Sequence, residues 1–93
     1  MIRSFRDRKV AEIAAGKAPK GFPADLVRAA RQKLLYLDSA AALRDLLAPP
    51  GNRLEALKGN RAGQHSIRIN DQWRICFVWS DGGADDVEIV DYH

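Results

Sequence analysis

The residue pattern of this chain changes its period once, at the segment Pro49-Pro50-Gly51-Asn52. Before this segment, apolar residues recur every three or four positions, which is typical of amphipathic helices. After it, apolar and polar residues alternate in short runs separated by Gly, Asn and Asp, which is typical of strands joined by tight turns. Because proline cannot continue a helix, the two prolines mark the boundary. The pattern therefore predicts an α+β fold in which the helices precede the strands.

The first predicted helix follows a short strand over residues 2–5. Ser4 and Asp7 have the spacing of a capping box, which predicts that the helix begins beside Ser4. Gly16 is expected to end it, because glycine is favoured at the position just after a helix.

Two further helices are predicted before the prolines. The longer one follows Pro23, a favoured first-turn residue, and has apolar residues at helical spacing: Leu26, Val27, Ala30, Leu34 and Leu37. The shorter one runs from Leu43 to Leu47, and Asp38 or Ser39 is expected to cap its start.

Four strands are predicted after the prolines, over residues 53–58, 64–70, 73–79 and 87–92. Short turns between them favour an antiparallel meander. The N-terminal helices are then expected to pack on one face of a mostly antiparallel sheet and to leave the other face free. A chain of 93 residues with 46% hydrophobic content supports one domain, over residues 1–93.

Composition excludes several kinds of site. The single cysteine, Cys76, rules out an internal disulfide, and no Cys and His cluster has metal-ligand spacing, so neither a metal nor a cofactor is expected. No stretch is apolar enough to span a membrane, and we expect a cytoplasmic protein. Residues 1–50 carry ten Lys or Arg against five Asp or Glu, whereas residues 51–93 carry five against seven. This asymmetry favours a polyanionic partner for the first half.

Alternation along the strands places several cations on the sheet face that points away from the helices. Arg68 and Arg74 lie there on neighbouring strands, and Lys58 and Arg61 flank the turn before them. Four such cations could bind one phosphate. The alternative is that Arg68 and Arg74 form cross-strand ion pairs with acids such as Glu88 or Asp91.

RNA cleavage without a metal suits such a cluster. It needs a base for the 2′-hydroxyl proton, cations for the charge on the phosphorus oxygens and an acid for the leaving oxygen. The last three residues, Asp91, Tyr92 and His93, offer groups for proton transfer. The alternative is that this terminal triplet is accidental.

Longer motifs resemble a known family. The stretch PPGNRLEALKGNRAGQHSIRINDQWRICFVW, the ending VEIVDYH and the opening IRSF together resemble the HigB/GraT type of RelE-like toxins, also called plasmid maintenance killer proteins. The resemblance covers essentially the whole chain. It implies the RelE-like microbial RNase toxin fold and a toxin of a type II toxin–antitoxin system, an endoribonuclease that cuts mRNA in the ribosomal A site. It also implies a HigA/GraA-like helix-turn-helix antitoxin as partner, with operator DNA bound only through that antitoxin.

The functional residues of the family transfer position by position. The resemblance gives catalytic roles to Lys58, Arg74, Asp91, Tyr92 and His93. Glu55 stands where some HigB toxins have a histidine. A carboxylate there could replace the histidine as a base, but it cannot become cationic and it repels phosphate, so a weaker nuclease is expected.

Other arginines are expected to bind RNA without reacting. Arg61 and Arg68 lie near the catalytic residues, while Arg28 and Arg31 lie on the longest helix and are expected to dock on ribosomal RNA. A second interpretation is that the chain is a catalytically weak toxin, which acts mainly as an antitoxin-bound co-repressor or as a ribosome binder that does not cleave.

Overall fold

The computed structural model describes residues 1–91, and the predictions that concern Tyr92 and His93 lie outside the described residues. Two α-helices precede the strands: α1 (Arg8–Ala14) and α2 (Ala24–Ser39). The strands are β1 (Glu55–Ala56), β2 (His65–Arg68), β3 (Trp73–Ser80) and β4 (Gly83–Asp91). Short 3-10 segments lie at Leu43–Leu47, Pro50–Asn52 and Gly59–Arg61. The predicted order of helices and strands is confirmed.

Within residues 1–91, the strands form one sheet in the order β1-β2-β3-β4, and every neighbouring pair is antiparallel. The predicted meander is therefore confirmed. The first strand is shorter than predicted, because Arg53 has a left-handed backbone (φ 46) and the chain coils into a 3-10 turn from Gly59. Both features break the extended conformation that a strand needs.

The predicted strand over residues 2–5 runs parallel to β4 along the edge of the sheet. Ile2 and Phe5 form isolated bridges to Ala84 and Val87. The backbone N–H of Arg6 donates to the carbonyl of Val87 at 3.0 Å, which extends this pairing to the start of α1. The N-terminal segment thus covers the edge of β4 that would otherwise expose unpaired backbone groups.

The capping box predicted for Ser4 is wrong. Asp7 is the N-cap of α1, and its side chain accepts a hydrogen bond from the backbone N–H of Lys9 at 2.7 Å. The Ser4 hydroxyl instead accepts from the N–H of Asp86 at 2.9 Å. Asp86 has a φ of 53 and lies where the register between β3 and β4 shifts, so Ser4 stabilises a β-bulge.

The predicted helix layer is confirmed by the core. α2 buries the five apolar residues that its spacing predicted, Leu26, Val27, Ala30, Leu34 and Leu37. These side chains share one core cluster with sheet residues of a single face, Ile67, Ile75, Phe77 and Val87. Among residues 1–91, no helix combines the length and the apolar character needed to cross a membrane.

The third predicted helix is a five-residue 3-10 segment, Leu43–Leu47, and its predicted caps are wrong. Ser39 is the last residue of α2, and the Asp38 carboxylate accepts from the backbone N–H of Ile2. Asp45 reaches back to accept from the N–H groups of Ala41 and Ala42, and these bonds lower the pKa of its carboxyl group. The prolines that follow leave too little chain for an α-helix.

Asn52 fixes this connection to the helix layer. It is fully buried, and its amide nitrogen donates to the carbonyls of Leu46 and Ala48 at 3.2 and 3.3 Å. Its amide oxygen accepts from the Lys33 ammonium at 2.6 Å. These bonds set the path on which the chain enters β1 and satisfy the amide in the interior.

Candidate nucleic-acid interface

The register of the sheet places one row of side chains across all of its strands. Glu55, Ser66, Cys76 and Glu88 are successive partners from β1 to β4, so their side chains share a face. This face points away from the core residues of α2, and we call it the charged face. Ser66 and Cys76 are 0% exposed at its centre. Within residues 1–91, the helices pack on the opposite face, as predicted, and long charged side chains lie across this one.

Arg74 is held on the charged face by several hydrogen bonds. Its Nε donates to the Ser66 hydroxyl at 2.8 Å, and its Nη2 donates to the carbonyl of Arg53 at 2.6 Å. The Glu55 carboxylate lies 3.8 Å from the same Nη2. The Arg74 side chain is 12% exposed, whereas that of Glu55 is 54% exposed. The guanidinium is thus fixed in place, while its acidic partner extends into solvent.

A second arginine and carboxylate pair lies at the other end of the row. Arg61 donates from Nη2 to Glu88 Oε1 at 3.4 Å and from Nη1 to the Gln64 amide oxygen at 3.0 Å. Arg6 Nη1 lies 3.4 Å from the other oxygen of Glu88. One carboxylate therefore holds two guanidinium groups.

Cys76 forms the floor between these two pairs. Burial raises the pKa of its thiol, and the charges that act on it are those of Arg61, Glu88, Arg74 and Glu55. Both arginine and carboxylate pairs therefore surround the same point. A buried thiol with a raised pKa is a poor nucleophile, so Cys76 is not a candidate catalytic residue.

Arg68 and Lys58 are the other two cations of the predicted cluster, and Arg68 is the register partner of Arg74. Arg68 donates to Asp71 in the turn between β2 and β3, and its charge, together with burial, lowers the pKa of Lys33. Lys58 is exposed and precedes the 3-10 turn that carries Arg61, whose N–H donates to the Lys58 carbonyl at 3.2 Å. The structure thus brings Lys58 and Arg61 into one turn and directs Arg68 towards another.

Both arginines form ion pairs, as the alternative predicted, but Arg68 pairs within a turn and not across strands. Arg68 pairs with Asp71 and Arg74 with Glu55, whereas Glu88 pairs with Arg6 and Arg61. Asp91 is the register partner of Trp73, and its carboxylate accepts from the Gln72 side chain at 3.1 Å. Its position therefore matches the helix face of the sheet.

Comparison with known proteins identifies the family. A model of the RelE-like toxin HigB of type II toxin–antitoxin systems matches residues 3–93. The chain belongs to the HigB-like toxin family. Toxin HigB-1 of Vibrio cholerae serotype O1 is 41% identical to this HigB-like toxin over 85 residues, 90% of each chain. Endoribonuclease HigB of Proteus vulgaris is 32% identical over 97 aligned positions that cover both chains fully.

Two solved structures that share the fold of this HigB-like toxin are toxin–antitoxin complexes. Two YoeB–YefM complexes from Staphylococcus aureus match all of this HigB-like toxin and 98% of the matched chain, with TM-scores of 0.62 and 0.58. Their sequence identities are 18% and 19%, so the likeness concerns the fold. It agrees with the predicted RelE-like architecture.

The two arginines predicted on the long helix of this HigB-like toxin differ in their surroundings. Arg31 donates from Nε to the carbonyl of Ile13 and from Nη2 to that of Lys17, both at 3.2 Å. It therefore ties the end of α1 to α2. Arg28 is exposed on α2. The proposed contact of both with ribosomal RNA stays a prediction, and Arg28 is the better placed of the two.

Sequence reasoning missed the groups that hold the arginines of this HigB-like toxin. Ser66, the carbonyl of Arg53 and the shared carboxylate of Glu88 were not assigned these roles. The contact between Ser66 and Arg74 could have been predicted from the sequence. A tight turn at Asn70-Asp71 places Arg68 opposite Arg74, and Ser66, two residues before Arg68, then lies on the same face of the sheet. The approach of Arg6 to Glu88 depends on the N-terminal segment joining β4, which no local pattern encodes.

Proposed function

We propose that this HigB-like toxin is an endoribonuclease that needs no metal and cuts mRNA in the ribosomal A site. Its similarity to Endoribonuclease HigB over the full length of both chains supports an RNA substrate. The observation that carries the proposal is the fixed guanidinium of Arg74, held by Ser66 and Arg53 on a face that also bears Arg61. A preorganised cation is what a transition state with growing charge on phosphate oxygens requires.

The proposed reaction divides the work among residues of β1, β3, the turn after β1 and the end of the chain. Arg74 stabilises the charge on the phosphate oxygens, and Lys58 supplies a second, exposed cation. Proton transfer from the 2′-hydroxyl and to the leaving 5′-oxygen is assigned to Tyr92 and His93, with Glu55 as a further base, because the register of Asp91 places it on the helix face of the sheet. His93 suits either role, because an imidazole titrates near neutral pH.

The ion pairs of the charged face support the proposal that cleavage depends on the ribosome. Arg74 and Arg61 each have a carboxylate within 3.8 and 3.4 Å, so an RNA phosphate must compete with Glu55 and Glu88. A flexible RNA in solution has to be ordered as well, which costs entropy. The ribosome holds mRNA in a defined shape, and we therefore expect little cleavage of naked RNA.

The test is to map mRNA ends in a cytoplasmic translation extract after adding the purified toxin. We expect cuts within translated regions, and we expect none when initiation is blocked so that the same mRNA carries no ribosomes. A double variant, His93→Ala with Tyr92→Phe, is the catalytic control. Intact mRNA at toxin levels that stop protein synthesis, or equal cutting by the double variant, would contradict the proposal.

An antitoxin partner agrees with the family and with the fold neighbours. We propose a HigA/GraA-like antitoxin with a helix-turn-helix domain, which neutralises the toxin and carries it to operator DNA. In this scheme the toxin reaches DNA only through the antitoxin. Co-purification of the toxin with the product of an adjacent gene that encodes a helix-turn-helix domain is the direct check.

The Glu55 and Arg74 contact favours a second candidate function. A carboxylate 3.8 Å from the proposed catalytic guanidinium opposes phosphate binding. A toxin weakened in this way would act mainly as a co-repressor with its antitoxin, or would block the ribosome without cutting. Inhibited translation with unchanged mRNA lengths would favour this candidate.

Replacing Glu55 with glutamine is expected to tighten RNA binding. The variant Glu55→Gln removes the negative charge beside Arg74 and keeps the size of the side chain. Because the Glu55 side chain is 54% exposed, the pair is screened, and we expect about two- to fivefold tighter binding. The measurement is fluorescence anisotropy with a labelled single-stranded 2′-O-methyl RNA, which cannot be cut.

Glu12→Gln on α1 is the matched control for this charge change. It should leave the affinity nearly unchanged, because Glu12 lies in the helix layer. Equal affinities of Glu55→Gln and the wild type would show that Glu55 does not oppose RNA. Tighter binding with slower cleavage would assign Glu55 the role of a base.

A further inference from the structure

The carboxylate of Glu88 binds two arginines that come from distant parts of the chain. Arg6 lies in the N-terminal segment, and Arg61 lies in the turn after β1. Each guanidinium nitrogen is 3.4 Å from a different oxygen of Glu88, whose side chain is 16% exposed. We call Arg6 and Arg61 the edge pair. With one anion for two cations, the edge pair keeps a local charge of about +1.

The edge pair is more exposed to solvent than its anchor, which is partly buried. The side chain of Arg6 is 62% exposed and that of Arg61 is 34% exposed. Gln64 also orients Arg61 through a 3.0 Å hydrogen bond. Two oriented guanidinium groups with exposed N–H donors match the oxygens of a phosphodiester.

The edge pair is separate from the proposed catalytic guanidinium. Arg74 is anchored on Ser66 of β2, whereas Glu88 lies on β4, two strands away in the same row. Strand spacing puts about 10 Å between the backbones of these two anchors, so the edge pair and Arg74 are held by different strands. A single RNA strand that crosses the sheet along this row would meet both places.

We propose that the edge pair binds a backbone phosphate of the RNA beside the scissile one, and that Glu88 is its positioning residue. This inference rests on the proposed function, because it takes RNA as the substrate. The edge pair then extends the interface from β1 across the sheet to the N-terminal segment. It reads no bases, since phosphate contacts set the register of a nucleic acid and carry no sequence information.

The first test measures binding of a labelled single-stranded 2′-O-methyl RNA across a series of salt concentrations. Arg6→Ala is expected to weaken binding about three- to tenfold at low salt. It should also reduce the slope of log affinity against log salt by about 0.7, the value for one phosphate contact on a single strand. Lys20→Ala, an exposed site in the helix layer, removes the same charge and should leave the slope unchanged.

The second test separates positioning from simple charge. Glu88→Gln adds one unit of positive charge to the face but offers an amide N–H group to one of the two arginines. If Glu88 positions the edge pair, this variant binds RNA more weakly than the wild type. Tighter binding of Glu88→Gln would overturn the positioning role.

A more conservative variant and a stability measurement distinguish loss of the edge pair from unfolding. Arg6→Gln preserves much of the side chain, and thermal melts identify folded variants. A folded Arg6→Gln that matches Lys20→Ala in both affinity and salt slope would overturn the edge pair, even if the wild type cuts mRNA on ribosomes. Conversely, loss of slope in Arg6→Ala with intact mRNA in the translation extract would support the edge pair and contradict the nuclease.

Discussion

Arg74→Lys is expected to lower ribosome-dependent mRNA cleavage by about 10²–10³-fold, the loss typical of removing one preorganised donor from a transition state. Lysine keeps the positive charge but cannot form the fork that bonds to Ser66 and to the carbonyl of Arg53 at 2.8 and 2.6 Å. Its ammonium would therefore sit elsewhere on the charged face. Quantitative mapping of mRNA ends over time in a translation extract measures the effect.

Two controls separate this effect from unfolding and from loss of charge. Arg44→Lys makes the same exchange at an exposed site beside α2 and should cut normally. Ser66→Ala removes the bond that orients Arg74 Nε but leaves the guanidinium, so its loss should be smaller than that of Arg74→Lys. If a folded Arg74→Lys variant cuts as fast as the wild type, Arg74 has no catalytic role.

Phe77→Ala is expected to lower the free energy of unfolding by about 3–5 kcal/mol, the usual cost of truncating a buried aromatic residue. The Phe77 side chain is 1% exposed, and its ring packs against those of His65 and Trp79 with centroids 6.3 and 6.4 Å away. Domains of this size have only about 5–15 kcal/mol in total, so the variant should lose a large part of its stability. Urea denaturation followed by circular dichroism measures the change.

Leu47→Ala is the control for the core prediction. Its side chain is 63% exposed, so the free energy of unfolding should change by no more than about 0.5 kcal/mol. Phe77→Leu should lie between the two, because it refills most of the space. A cooperative Phe77→Ala transition at the wild-type urea midpoint would show that the sheet does not depend on this contact.

The fold could be predicted from the sequence because the patterns that specify it are local. The change of period at Pro49-Pro50 separates helices from strands, and the apolar spacing of α2 marks the five residues that it buries. Short polar turns between the strands then leave an antiparallel meander as the simplest topology. The errors fall where a short segment had several partners to choose from, as for Ser4, whose hydroxyl bonds to the β-bulge and not to the helix.

The candidate site, like the fold, was predicted where the signals are local and missed where they are not. The identity of Arg74, Arg61 and Lys58 and the face of Arg74 follow from residue type, family motif and strand parity, which are all properties of neighbouring residues. The carboxylates that pair with these cations cannot be predicted from such local properties.

Sequence by itself determined the order of the elements, the core residues of α2 and the face on which Arg74 lies. Only the tertiary structure decided that Glu55 opposes Arg74 and that Glu88 joins Arg61 to Arg6. Ion pairs form between side chains whose sequence separation carries no signal: Arg6 and Glu88 meet because the N-terminal segment lies along β4. Local periodicity fixes the direction of a side chain, whereas the packing of distant segments fixes its partner.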